Sequence, residues 1–318
     1  MKIALITPAA AGSRTGNRHT ALRWAAMLRA AGHSVRVEQK WDRERPADLM
    51  LALHARRSHA SIKAFRDLHP KKPLLLALTG TDLYRDIRTS AEARESLELA
   101  GHFIVLQPKA IEELPARLRD KASVVIQSSS TSLRHRPVRN GFRVCVIGHL
   151  REEKDPLRAV AALSRLSGLN IELLQAGDSL DEELSREARL SMRREPRYRW
   201  FGGVAHARAL RLLASSHAMV ISSRMEGGAN VVSEAIRIGV PVLASRIPGN
   251  VGLLGKEYQG YFRLGNDREL ASLLRRAASD RRYYHSLKRK ILRLRPLVAP
   301  SSEARMLLAA VRTAASGS

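Results

Sequence analysis

Two glutamates, Glu226 and Glu234, are separated by seven residues in the stretch Arg224-Met225-Glu226-Gly227-Gly228-Ala229-Asn230-Val231-Val232-Ser233-Glu234-Ala235. The first falls in a glycine-rich turn after the apolar run Ala218–Ile221, and the second lies on the helix that the turn opens. A helix start offers unpaired N–H groups and a positive dipole end, which suit an anionic diphosphate. Carboxylates on either side of it can accept hydrogen bonds from sugar hydroxyls. The spacing thus predicts a metal-free grip on a sugar diphosphate.

Four more segments carry chemistry, each just after an apolar run. The first is Pro8–Thr20, with Gly12, Gly16 and Asn17 among Arg14, Arg18 and His19. Glycine lets the backbone approach an anion, and the helix that follows favours negative charge. The second is His54-Ala55-Arg56-Arg57-Ser58. Its arginine pair either forks onto a tetrahedral oxyanion or sits solvated at a helix start. The third is Thr79-Gly80-Thr81-Asp82, where Asp82 either caps the next helix or reaches a ligand. The fourth, Gly148–Pro156, brings His149, Arg151 and Lys154, cations suited to a departing anion.

These segments need a scaffold that gathers loops along one edge. Apolar runs alternate with helical patterns throughout, which predicts parallel sheets with crossover helices. In the first half the expected strands are Ile3–Thr7, Val35–Glu38, Leu49–Leu53, Leu74–Leu78, Phe103–Leu106 and Val124–Ile126. A second series comprises Phe142–Ile147, Ile171–Gln175, Arg199–Phe201, Ala218–Ile221, Pro241–Ala244 and Gly260–Arg263. The polar stretch from Gln127 to Pro137 reads as a linker. The expected division is an N-terminal domain over residues 1–134, a C-terminal domain over 135–296, and a closing helix over 297–318. Doubly wound sheets place ligands at the carboxyl ends of their strands, where all five motifs fall.

Composition narrows the class. At 318 residues and 44% hydrophobic content, two ordinary α/β cores are expected. The lone Cys145 excludes a disulfide framework and a cysteine-rich metal site, and no paired histidine spacing suggests a metal. The expectation is no metal and no cofactor. Net charge is +25, yet arginines are spread over many helices and aromatics are only 4%, so a nucleic-acid stacking platform is not expected. No apolar run approaches a bilayer span, and Met1–Pro8 reads as a first strand rather than a leader, so a cytoplasmic location is expected.

The two-glutamate motif resembles the signature of retaining glycosyltransferases built from two facing Rossmann-like domains. That resemblance implies the α/β GT-B fold, with parallel sheets and a deep interdomain cleft. It assigns Glu234 to the ribose hydroxyls, Glu226 to the sugar hydroxyls, and Gly227, Gly228, Ala229, Asn230 and Val231 to sugar and phosphate. Gly203 and Val204 would frame the base, Gly16 and Asn17 the phosphate side, and Lys154 would neutralise the leaving diphosphate. The sequence departs from the clan at Thr79, where relatives carry histidine, and at His149, where they carry arginine; Arg151 stands in for that charge by inference.

Together, the blocks at Pro8–Arg18, Ala52–Ser58, Leu78–Tyr84, Gly148–Pro156 and Glu226–Asn230 resemble the selenosugar synthases of selenoneine biosynthesis, from Lys2 to about Leu292. The resemblance implies a carbon–selenium bond between the anomeric carbon of a UDP-sugar, UDP-N-acetylglucosamine or UDP-glucose, and selenophosphate. A selenophosphate synthetase and a selenoneine-forming oxygenase would be functional partners. The tetrahedral acceptor would give Arg14, Arg18, His54, Arg56, Arg57, Thr79, Thr81 and Asp82 something to hold. The other readings are a hexosyltransferase with a hydroxyl acceptor and a non-enzymatic basic binding protein.

Overall fold

The computed structural model describes residues 1–13, 15–179 and 181–317. Twelve strands form among them, in two six-stranded sheets whose strand pairs are all parallel. The first holds β1 (Lys2–Ile6), β2 (Ser34–Glu38), β3 (Leu49–Leu53), β4 (Leu74–Leu78), β5 (His102–Val105) and β6 (Ala122–Val124), in the order β2-β1-β3-β4-β5-β6. The second holds β7 (Phe142–Ile147), β8 (Ile171–Ala176), β9 (Tyr198–Trp200), β10 (Ala218–Ile221), β11 (Val242–Ser245) and β12 (Tyr261–Phe262), in the order β12-β11-β10-β7-β8-β9. Each order reverses direction once, between β1 and β3 and between β7 and β10. Such switch points leave a crevice outside the carboxyl ends of the flanking strands.

The chain divides into two compact units. One comprises Met1–Gln127, Glu226–Gly228 and Pro300–Ser318; the other comprises Ser128–Met225 and Ala229–Ala299. Each is α/β and is built on one of the two parallel sheets.

The first unit shows why the continuous apolar runs become strands. Successive side chains of a strand point to opposite faces, and parallel sheets are covered on both. Ala4, Ile6, Met50, Ala52, Leu74, Leu76 and Phe103 bury one face against Ile62, Phe65, Leu83 and Leu97. Ile3, Leu5, Leu49, Leu51, Leu75 and Ile104 bury the other against Trp24, Leu28, Leu307, Ala310 and Val311. The last three lie on the helix Pro300–Ser316, which packs beside the helix Gly16–Ala30. Glu303 joins the two, accepting from Trp24 Nε1 at 2.7 Å and Arg23 Nε at 2.8 Å while fully buried.

Three edge strands sit off their expected positions. β6 covers Ala122–Val124 instead of Val124–Ile126, because its ladder with β5 pairs Phe103 with Ala122 and Val105 with Val124. β9 begins one residue earlier than expected, at Tyr198, and β12 shrinks to Tyr261–Phe262. Cys145 lies inside β7, fully buried, and burial pushes its thiol up to about 12. Among the described residues no helix is long and apolar enough to cross a membrane.

Candidate active site

In the second unit the loops after β7, β8 and β9 are tied by backbone. A Cβ on Gly177 would lie 1.8 Å from the Gly148 carbonyl oxygen, so only glycine lets these loops meet. The Leu150 amide reaches Asp178 O at 2.8 Å, and Trp200 Nε1 donates to Gly177 O at 2.8 Å. His149 Nδ1 accepts from the Asp178 amide at 3.1 Å, which leaves a ring N–H at Nε2. Gly203 is held close in the same group: a Cβ there would come 3.2 Å from the Asp178 carboxylate. Val204 follows it in the segment that leads to the helix His206–Ser215.

Lys154 ends a single helical turn, Glu152–Lys154, that is fastened to the end of β10. Ser222 Oγ donates to the carbonyls of Lys154 at 3.1 Å and Asp155 at 2.8 Å, and the Arg224 amide donates to Glu153 O at 2.8 Å. β7 and β10 are neighbours at the switch point, so this stitching fixes the lysine's backbone at the crevice. Arg151 is half-buried, and its guanidinium has no hydrogen bond or ion pair among the described residues.

The helix Asn230–Ile238 has no acidic residue in its first turn, which leaves its positive end unneutralised. Its far end is closed by Gly239 at φ 98° and by Arg295, which donates to Ile238 O at 2.7 Å. Val231 lies in its first turn, and Ala229 is the residue before it. Glu234 is mostly buried and accepts from His206 Nε2 at 2.7 Å; that hydrogen bond raises the His206 pKa against the opposing effect of burial.

In the first unit, Gly16 and Asn17 open the helix Gly16–Ala30, whose Thr20 hydroxyl donates to Gly16 O at 2.9 Å. Arg18 follows them, half-buried, with no ion pair among the described residues. Arg14 lies outside the described residues. Glu226 is buried within this unit, and Gly227 lies so near the Thr79 loop that a Cβ would come 2.3 Å from the Thr79 carbonyl oxygen. Gly228 is equally confined, 2.6 Å from Leu106 Cβ by the same measure.

The turns after β3 and β4 form one network. His54 takes a left-handed φ of 76° and is almost wholly buried. Its Nδ1 accepts from the Arg57 amide at 3.3 Å, so Nε2–H faces Thr81 Oγ1 at 3.2 Å. Burial pushes its pKa down, partly offset by Asp82, and the ring is neutral. Asp82 neither caps a helix through its side chain nor faces outward. Fully buried, it accepts from the amides of Thr79 at 2.9 Å, Gly80 at 2.8 Å and Ala55 at 3.1 Å. It holds the two loops together. Arg56 Nε pairs with Asp86 at 2.9 Å, whereas Arg57 is exposed and its guanidinium is without a partner among the described residues.

Asp86 was not singled out from the sequence, and nothing local marks it, because Arg56 lies thirty residues away. Nor did the spacing show that His206 takes Glu234. Among the described residues no group of three or more His, Cys, Asp or Glu is placed so that it could hold a metal ion.

The family model for glycosyl transferases group 1 matches residues 133–292, half of the chain. The chain belongs to that family. It is similar to the glycosyltransferase 1 domain-containing protein 1 of Xenopus tropicalis, 26% identical over 319 residues covering 88% of each chain. Among solved structures, sucrose-phosphate synthase from Thermosynechococcus elongatus superposes with a TM-score of 0.79 at 17% identity, over 100% of both chains. HepE from Anabaena in complex with UDP-glucose gives 0.79 at 16% identity, over 98% of this chain and 100% of that one. These likenesses establish a shared fold, and the family match makes this chain a glycosyltransferase.

Proposed function

We propose that this glycosyltransferase transfers a sugar from a UDP donor, UDP-N-acetylglucosamine or UDP-glucose, to the selenium of selenophosphate. Selenium attacks the anomeric carbon, the bond from that carbon to the UDP oxygen breaks, and UDP leaves with the electron pair. Water then cleaves the selenium–phosphorus bond, giving a selenosugar and phosphate. Selenophosphate is already anionic and soft, so it needs positioning more than a general base.

The observation that carries the reading is the concentration of arginines after β1 and β3, where a tetrahedral anion would be the fitting acceptor. HepE, which shares the fold, is known with UDP-glucose, and this supports the donor. Glu234 would take the ribose hydroxyls, Glu226 the sugar hydroxyls, and the amides of Gly228 to Val231 the sugar and phosphate. Lys154, Arg151 and the Nε2–H of His149 would stabilise the departing diphosphate without a metal. A second reading is transfer to a hydroxyl acceptor. A fold relative titled a lipopolysaccharide outer core galactosyltransferase favours it, with a TM-score of 0.72 at 14% identity over 98% of this chain and 99% of that one.

Incubation with UDP-N-acetylglucosamine plus either selenophosphate or candidate alcohols, followed by mass spectrometry, separates the two. A selenium-containing sugar, formed also in excess chelator, is the expected result. Hexosyl alcohols without any selenium product would overturn it.

A further inference from the structure

We propose that Asp86 holds Arg56 and Arg85 as a two-guanidinium fork for a small tetrahedral dianion, with Arg85 the half of the site that the sequence motifs do not mark. The inference rests on the acceptor reading above and deepens it. Asp86 Oδ2 takes Arg56 Nε at 2.9 Å and Oδ1 takes Arg85 Nε at 3.0 Å. Each guanidinium is therefore engaged only through Nε, and both terminal nitrogens of each stay available. The carboxylate side chain is only 4% exposed, while the arginine side chains are 42% and 51% exposed. The anchor is buried and the donors face solvent.

A structural ion pair has no need of this stoichiometry. One carboxylate holds two cations, Arg57 stands unpaired beside them among the described residues, and the neighbouring His54 is neutral. His54 Nε2 lies 3.9 Å from Asp86 Oδ2. Against the charges of Arg56, Arg57 and Arg85 stand those of Asp86 and of Asp82, whose buried carboxylate is already given to three backbone amides, so one positive charge is left for an anion to meet. Glu92 is a further carboxylate whose field reaches Arg56, but it is exposed and takes its own hydrogen bond from Ser90.

The backbone explains why the two arginines meet. Arg56 follows β3, Arg85 lies in the turn Asp82–Asp86 after β4, and these strands are adjacent and parallel, so both turns leave the same edge. His54 at its left-handed φ redirects the chain so that the Ala55 amide reaches Asp82 and the Arg56 side chain reaches Asp86. A conformation costing about 1 kcal/mol or more persists where the surroundings fix it, and here it places the fork. Planar guanidiniums match a tetrahedral oxyanion through paired N–H groups, so a phosphate, thiophosphate or selenophosphate fits.

The test titrates the full chain with thiophosphate, and separately with inorganic phosphate, by calorimetry in the presence of UDP. Saturable binding is expected. Arg85→Ala should weaken it at least about tenfold, Arg85→Lys should recover only part, and Arg88→Ala should match wild type, because Arg88 pairs with Glu113 instead. Asp86→Asn should raise the acceptor KM while leaving the UDP-sugar KM unchanged, which a general loss of structure would not do. If that variant fails to fold, the exposed Arg85 decides alone. Anion binding by Arg85→Ala within twofold of wild type, or no saturable anion binding by wild type, would overturn the fork. Selenosugar formation with an unchanged acceptor KM in Arg85→Ala would sink the fork and spare the acceptor reading. Thiophosphate bound through Arg85 without any selenosugar product would do the reverse.

Discussion

Asp82→Asn separates a residue that holds loops from one that holds ligand. The carboxylate is fully buried and receives three backbone amides, two on Oδ1 at 2.9 and 2.8 Å and one on Oδ2 at 3.1 Å. Asparagine keeps one acceptor oxygen. Oriented toward Thr79 and Gly80, it turns its NH2 onto the Ala55 amide, donor against donor, with no water to relieve either. A buried unsatisfied donor costs about 1–3 kcal/mol, and the two surviving bonds lose their charge. The sum is on the order of 2–4 kcal/mol, or roughly 5–12 °C in Tm for a unit of this size. Thermal unfolding by circular dichroism measures it, and UDP affinity should stay near wild type. A Tm within about a degree of wild type together with a collapsed acceptor affinity would refute the argument, since it would make Asp82 a ligand contact.

Three further outcomes are expected. Glu303→Ala should cost about 3–5 kcal/mol, because it leaves the Trp24 indole and Arg23 without their buried acceptor, and Glu303→Gln should cost less; chemical denaturation reads both. His135 is held down to about 4 from 6.5, chiefly by burial, so its contribution is complete above pH 6.5 and is lost as pH falls through 4. The fall from 6.5 to about 4 sets a ceiling of about 3 kcal/mol, and His135→Gln should flatten the urea stability profile across that window; an unchanged profile would assign the pH dependence to other groups. Glu234 raises the pKa of His206, so if ribose displaces that contact the imidazole returns toward its ordinary value and releases a proton. UDP affinity should then weaken as pH falls through the raised pKa, and calorimetry in two buffers of different ionisation enthalpy should detect the proton; its absence would mean the pair survives binding.

Strands near the centre of each sheet are legible because two-sided burial demands unbroken apolar runs, as in Leu49–Leu53 and Leu74–Leu78. Edge strands are not, since ladder partners rather than composition decide where β6 and β12 begin. In the candidate site the motifs name loops, while the contacts that define roles join residues far apart in the chain. Asp86 with Arg56, and His206 with Glu234, lie thirty and twenty-eight positions apart, and no periodicity encodes them. Glu303 was readable in principle. It shares the stripe of Leu307, Ala310 and Ala314, and an acid on a buried helix face requires a partner.

The arginine content takes its meaning from what each guanidinium is given to hold. Arg66 donates to the carbonyls of Leu99, Pro70 and Lys72, Arg119 to those of Leu114 and Glu112, and Arg197 to those of Leu166 and Leu163. Such arginines close helix ends and turns with a donor that cannot lose its proton, and their charge says little about partners. Arg18, Arg57 and Arg151 differ in kind: each follows the carboxyl end of a strand beside a switch point and is given no protein acceptor among the described residues. Arg56 and Arg85 are intermediate, anchored through one nitrogen and open at two. A net charge of +25 thus combines arginines spent on the fold's own carbonyls and carboxylates with others left to solvent, and among the latter Arg18, Arg57 and Arg151 are set apart by following strands that flank the switch points.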